Sequence, residues 1–246
     1  MPVADTSSLE LVESICALPR PLMFLDTAGI LDILRVPFRP ELQVDIINSA
    51  AALVEDLSVA PRRIWVVSTA NVAQEFYARR EGVLQELSTR MSNLTQSIGR
   101  LSRIARLVVP ERRVTELDWL DSTLEQRVLG VVDRLVASMS LFRGTPDCVG
   151  RARDRLWAGL PPASKSKQEF KDCEIFEEFL ELAGALRRAS FDQPIVFVTP
   201  NSKDYGLPPQ GHQQIAADLM ARGCLFAGNI AWARAVIQQS HLNSQT

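Results

Sequence analysis

Three short runs, "LMFL" (22–25), "RIWVV" (63–67) and "PIVFV" (194–198), constrain the fold more than any other feature of the chain. Each is nearly continuous in apolar, β-favouring residues and lacks the alternation of a half-solvated strand. Such strands must be covered on both faces, as parallel strands are in an α/β sheet. A weaker fourth run is "CLFA" (224–227). Helical stretches such as "PELQVDIINSAAALVEDL" (40–57) and "HQQIAADLMAR" (212–222) separate the strands. The alternation predicts an α/β fold: a doubly wound parallel sheet of four or five strands with helices on both faces. At 246 residues and 46% hydrophobic, the chain can bury one such core with an elaboration.

The elaboration lies in the middle. Leu84, Leu87, Met91, Leu94, Ile98, Leu101, Ala105 and Val108 recur at alternating steps of three and four. This heptad seam wants a partner helix. Pro110 breaks it, and Thr115 with Asp118 forms a capping box that opens a second helix. Leu117, Leu120, Leu124, Val128, Val131 and Leu135 line roughly one face of that helix. The simplest arrangement is an antiparallel helical hairpin inserted into a discontinuous α/β domain. The domain spans 20–80 and 165–230, the hairpin with its return loop 81–164, and a C-terminal helix and tail 231–246. Gly144, Pro146, Gly150, Gly159, Pro161 and Pro162 make residues 143–168 read as a broken return path. The seam has two outlets, packing within the hairpin or pairing in a homodimer, and the short turn favours the first.

Charge divides at the same place. Residues 79–171 carry 17 Lys and Arg against 11 Asp and Glu, whereas the whole chain carries 27 against 29. An acidic body with a basic insertion points mildly to a polyanionic partner. No apolar run approaches the roughly 20 residues of a membrane span, and the N-terminal stretch has no basic, apolar secretory pattern. Cys16, Cys148, Cys173 and Cys224 are widely spaced, as reduced thiols in a cytoplasm would be. Neither a GxxxxGK[ST] phosphate loop nor GxGxxG follows the first strand. "DTAGI" also lacks the second aspartate that a haloacid-dehalogenase-type phosphatase uses.

Four carboxylates remain as candidates for chemistry. Asp26 ends the first apolar run, Glu75 lies on the helix after the second, and Asp204 lies in the loop beyond the third. Chain just past the carboxyl ends of parallel strands lines one crevice, where ligands bind. Ser166 and Glu169 form a capping box for "SKQEFKDCEIFEEFLELAGAL". On that helix Asp172 heads a stripe of Phe176, Phe179, Ala183 and Leu186, with Glu174, Glu178 and Glu181 on the opposite, solvated side. A carboxylate entering a core must be protonated, paired or metal-bound. Acids that meet in one crevice repel, a divalent cation relieves them, and all-oxygen ligation favours Mg2+ or Mn2+. Singly, each acid has a plainer reading. Asp26 can cap a helix, Glu75 can pair with Arg79, Asp204 can make a turn, and Asp172 can pair with an arginine.

"FLDTAGIL", the acid after the second strand, "KDCEIFE" and "VFVTPNSKDY", in this order, resemble the PIN-domain nucleases. The resemblance covers about 20–80 and 165–230 and leaves the hairpin unaccounted for. It implies a PIN-like three-layer α/β/α fold and a metal-dependent ribonuclease, a class that includes toxins of bacterial toxin–antitoxin pairs. RNA would be the substrate, Mg2+ or Mn2+ the cofactor, and an antitoxin or other protein a potential partner. Asp26, Glu75, Asp172 and Asp204 become the metal-binding acids, with Thr27 and Asn201 as polar neighbours. Ala28 stands where the family commonly has Asn or Ser, and Ser202 where a further acid often sits. Those departures keep a second reading open, a non-catalytic PIN-like module that binds nucleic acid or protein. A third is a nuclease acting on DNA in phage defence or repair. Arg100, Arg103, Arg106, Arg112 and Arg113 near the hairpin tip could contact phosphates. A solvated helix face explains them slightly better, since no aromatics interleave to stack bases.

Overall fold

Burial on both faces, which the apolar runs require, is what the chain achieves. A computed structural model describes residues 8–108, 122–163 and 170–243. In chain order the elements are α1 (Ser8–Ala17), β1 (Leu22–Leu25), α2 (Thr27–Arg35), α3 (Asp45–Ser58), β2 (Trp65–Thr69), α4 (Ala70–Val108) and α5 (Ser122–Ser138). There follow β3 (Ser140–Phe142), α6 (Pro146–Ala158), α7 (Phe170–Arg188), β4 (Ile195–Val198), α8 (Ser202–Tyr205), α9 (Gln213–Met220), β5 (Leu225–Ala227) and α10 (Ile230–Asn243). The five strands form one sheet in the order β3-β2-β1-β4-β5, and every pairing is parallel. Helices α2, α3, α5 and α10 pack together as one group and α1, α6 and α7 as another, an arrangement consistent with three α/β/α layers. No described helix is long and apolar enough to cross a membrane.

Register builds the core. Phe24, Phe197 and Phe226 fall side by side on β1, β4 and β5, and Phe176 and Phe179 of α7 lie against them. The Phe24–Phe179 and Phe176–Phe197 centroids are 5.2 and 5.4 Å apart, both edge-to-face. Edge-to-face pairing adds to what burial alone contributes. The stripe expected on α7 is therefore present: Phe176, Phe179, Ala183 and Leu186 are fully buried.

Several elements differ from their sequence expectation. Strand β2 begins two residues later than "RIWVV". The fifth strand, β3, has three residues and follows α5 after a single-residue break, so it carries no run long enough to read. The stretch expected as a broken return path contains a regular 13-residue helix, α6. Its proline and glycine are punctuation: Pro146 opens the helix, and Gly159 closes it at φ 63°. Helix α4 is a single 39-residue rod, roughly 58 Å long at 1.5 Å per residue. Leu87 and Met91 are buried, but Leu94, Leu101, Ile104, Leu107 and Val108 are exposed. Helix α2 packs on α4, while α5 packs chiefly on α3. Arg112, Arg113 and both capping boxes (Thr115 with Asp118, Ser166 with Glu169) lie outside the described residues.

The acidic side of α7 is a further correction, for α6 covers it. Glu177 and Glu178 are buried. Arg155, itself 7% exposed, donates to Glu177 Oε1 from Nε and Nη2 at 2.8 and 2.7 Å, to Asp218 Oδ2 at 2.8 Å and to Pro161 O at 2.7 Å. Arg151 adds contacts to Glu177 and Glu181 at 3.0 and 2.6 Å. One guanidinium thus fixes α6, α7, α9 and the turn after α6. Arg155→Ala should strand two low-exposure carboxylates and cost about 3–5 kcal/mol in urea unfolding; a loss below about 1 kcal/mol would mean that the network adds little.

Candidate functional site

Asp26 is the residue on which β1 stops. Its N–H donates to Val198 O at 3.1 Å, the last rung of the β1–β4 ladder. Its φ and ψ of −81° and 159° turn the chain into α2, whose first N–H, that of Thr27, donates to Asp26 Oδ1 at 2.7 Å. Leu25 pairs with Val198, so the next residues, Asp26 and Thr199, face each other. The Thr199 hydroxyl donates to Asp26 Oδ2 at 2.7 Å. This is the point where strand order reverses, with β2 on one side of β1 and β4 on the other. In open α/β sheets that reversal leaves a crevice at the carboxyl ends of the strands.

Glu75 reaches it from another element, and Asp204 lies just past the end of β4. Glu75 lies near the start of α4, which Thr69 caps by accepting from Val72 N at 3.3 Å. The Thr27 hydroxyl donates to Glu75 Oε2 at 2.8 Å, and Arg79 Nη2 lies 2.7 Å from Oε1. Asp26, Thr27 and Glu75 therefore form one connected unit. Asp204, 8% exposed, sits on the single turn of α8 and accepts from Asn201 Nδ2 at 2.8 Å.

Tyr205 joins the remaining acid to this group. Its ring is fully buried against Phe176 and Phe197, and its hydroxyl donates to the Asp172 carbonyl at 3.2 Å. Burial first, then the charges of Asp26, Asp172 and Asp204, hold the phenol well above its ordinary pKa. The hydrogen bond ties the backbone at Asp172 to the turn that carries Asp204, although the two are far apart in sequence. Arg100, Arg103 and Arg106 do not join them. Arg100 stands 25 residues beyond Glu75 on the same exposed helix, roughly 38 Å away.

The plainer readings coexist with this gathering. Asp26 does cap α2, and Glu75 does pair with Arg79 at i,i+4. What those readings leave out is the burial of Asp26, which raises its pKa to about 6 against the hydrogen bonds from Thr199 and Thr27; Glu75 raises it further and Arg79 lowers it. Cys173 is buried and its thiol is pushed up to about 11, as suits a packing residue. Thr199 and Tyr205 carry little local signal in the sequence. A strand ending on threonine in "VFVTPN" was the one available signal for Thr199, but its partner depends on register.

The donor set is all oxygen, which fits a hard divalent cation. Among the described residues, no three His, Cys, Asp or Glu side chains stand close enough to ligate one ion together. A cation here would take one or two carboxylates directly and keep water in its remaining positions, the usual manner of Mg2+. Comparison of the chain with protein-family models, with curated proteins and with solved structures finds no match in any of the three.

The raised pKa of Asp26 has a stability consequence. Between the ordinary aspartate value and about 6, the folded chain retains a proton that the unfolded chain has released. Stability from this group is therefore present below that window and lost as pH rises through it. Asn can accept from Thr27 and donate to Thr199, so Asp26→Asn should be more stable than wild type at pH 7.5 by up to about 2–3 kcal/mol. The gain should shrink towards zero near pH 4. Urea midpoints at the two pH values check this, and a variant less stable than wild type at pH 7.5 would contradict it.

Proposed function

We propose that the chain is a metal-dependent nuclease hydrolysing phosphodiester bonds, with RNA as its substrate class. The observation that carries the reading is the meeting of Asp26 and Thr199 at the reversal of strand order, with Glu75 joined to the same unit through Thr27. Asp26 and Glu75 would hold Mg2+ or Mn2+ most directly, with Asp172 and Asp204 engaging it through water. Such a cation lowers the pKa of bound water and stabilises charge on the phosphate under attack.

The chain's own residues have definable tasks. Thr199 and Thr27 fix the rotamers of Asp26 and Glu75, so the acids present their free lone pairs without first paying to become ordered. Burial holds Tyr205 in its protonated form, and its hydroxyl hydrogen goes to the Asp172 carbonyl. Arg79, two-thirds exposed beside Glu75, is placed to meet a phosphate oxygen at the rim. The family resemblance in the motifs around the four acids supports the same chemistry and the α/β/α frame of PIN-like proteins.

A second reading has one observation in its favour. The absence of three ligating side chains within reach of one ion, among the described residues, suits a PIN-like module that binds nucleic acid or a protein without turnover. Ala28 and Ser202 point the same way. Cleavage assays separate the two. Purified chain with Mg2+ or Mn2+ should cut single-stranded RNA in preference to DNA, EDTA should stop it, and Asp26→Asn should lower kcat at least about 100-fold. Preferential cutting of DNA would redirect the substrate class towards defence or repair. Cutting that survives EDTA and Asp26→Asn would overturn the metal mechanism.

A further inference from the structure

Beside Asp204 the surface opens into a cavity of about 790 Å3. That is within the range of small-molecule sites and ample for one nucleotide. Its two walls differ in chemistry. Leu160, Pro161 and Pro162, in the turn after α6, form an apolar side. Lys203 of α8 and Gln213 and Gln214 at the start of α9 supply the polar lining, and Ala217 of α9 lines the cavity with them.

Both walls are fixed before any ligand arrives. Arg155 holds the Pro161 carbonyl and Asp218 of α9 with the same guanidinium, and Asp218 in turn accepts from Gln214 Nε2 at 3.0 Å. The loop from α8 to α9 is pinned by His212 N–H donating to Tyr205 O and Gly211 N–H to Leu207 O, both at 2.8 Å. Gly206, at φ 85°, has no room for a Cβ, which would lie 2.2 Å from His212 N. His212 Nε2 lies 3.3 Å from the Lys203 carbonyl and ties the rim of the cavity to α8.

We propose that this cavity is a nucleotide subsite, which seats the base of a residue flanking the scissile phosphate and reads it. A nucleobase needs an apolar surface against its face and paired donors and acceptors at its edge. The proline turn offers the first, and the Gln213 and Gln214 side-chain amides offer the second. Lys203 is placed for the adjoining phosphate, and Asp204, which follows β4 at the carboxyl edge of the sheet, lines the same cavity. The subsite rests on the nuclease reading for its biological sense, but binding tests it separately.

The probes are the four ribonucleoside 5′-monophosphates and inorganic phosphate, titrated by calorimetry into the full chain in EDTA. At least one nucleotide should bind, with clear preference among the bases and over phosphate. Ala217→Trp, which fills the cavity from an exposed helix position, should abolish binding, and Lys203→Ala should weaken it about tenfold or more, both with unchanged unfolding midpoints. No binding by any nucleotide, equal binding of all four and of phosphate, or binding indifferent to Ala217→Trp would overturn the subsite. Cleavage assays on the same proteins keep the two readings apart. Base-selective binding without metal-dependent cleavage leaves the subsite standing and removes the nuclease. Cleavage sensitive to Asp26→Asn but indifferent to Ala217→Trp does the reverse.

Discussion

The parallel pairing of β1 with β4 is the constraint on which the rest depends. It joins residues 173 positions apart in sequence, and its register decides what faces what at the carboxyl end. With Leu25 opposite Val198, the aromatic rung Phe24–Phe197–Phe226 falls on the face covered by α7, and Asp26 falls opposite Thr199. A slip of one residue would turn the phenylalanines to the other face and part the acid from its donor. The same packing that stabilises the core therefore positions the site.

Burial of a carboxylate at this junction runs against stability. Asp26 accepts two good hydrogen bonds and still has a pKa raised to about 6, because desolvation outweighs them. Buried acid held in its charged form is a cost that a purely structural residue has no reason to carry. The contrast with Arg155 is instructive. There the buried Glu177 and the half-buried Asp218 meet a guanidinium whose donors match them, which is the pattern of structural ion pairs. Around Asp26 the neighbouring groups are a threonine hydroxyl, a backbone N–H, a second acid and an exposed Arg79.

What could be read from the sequence follows from how local each signal is. The four apolar runs gave four strands because burial on both faces is written in consecutive residues. Strand β3 was missed because Ser140–Phe142 is three residues long and is held by pairing with Val67–Thr69, a contact no local pattern records. Helix α6 was obscured by reading Pro146 and Gly159 as breaks, when they are its two ends. The acidic face of α7 looked solvated because Arg151 and Arg155 come from a helix whose docking is a tertiary fact. At the site, Asp26 and Asp204 were visible as acids following apolar runs, and their low exposure agrees with that placement. Thr199 and Tyr205 were not visible, since each matters through what it touches across the sheet.

The carboxylates at the reversal of strand order are proposed to form a cation site. That site is tested most directly by calorimetric titration of Mn2+ into the wild type and into Asp172→Asn, with the released protons measured through buffers of different ionisation enthalpy. Saturable binding is expected in the wild type, with proton release that grows as pH is lowered towards 6, and weakened or lost binding in the variant. Absence of binding in the wild type, or identical binding without proton release in both proteins, would contradict it.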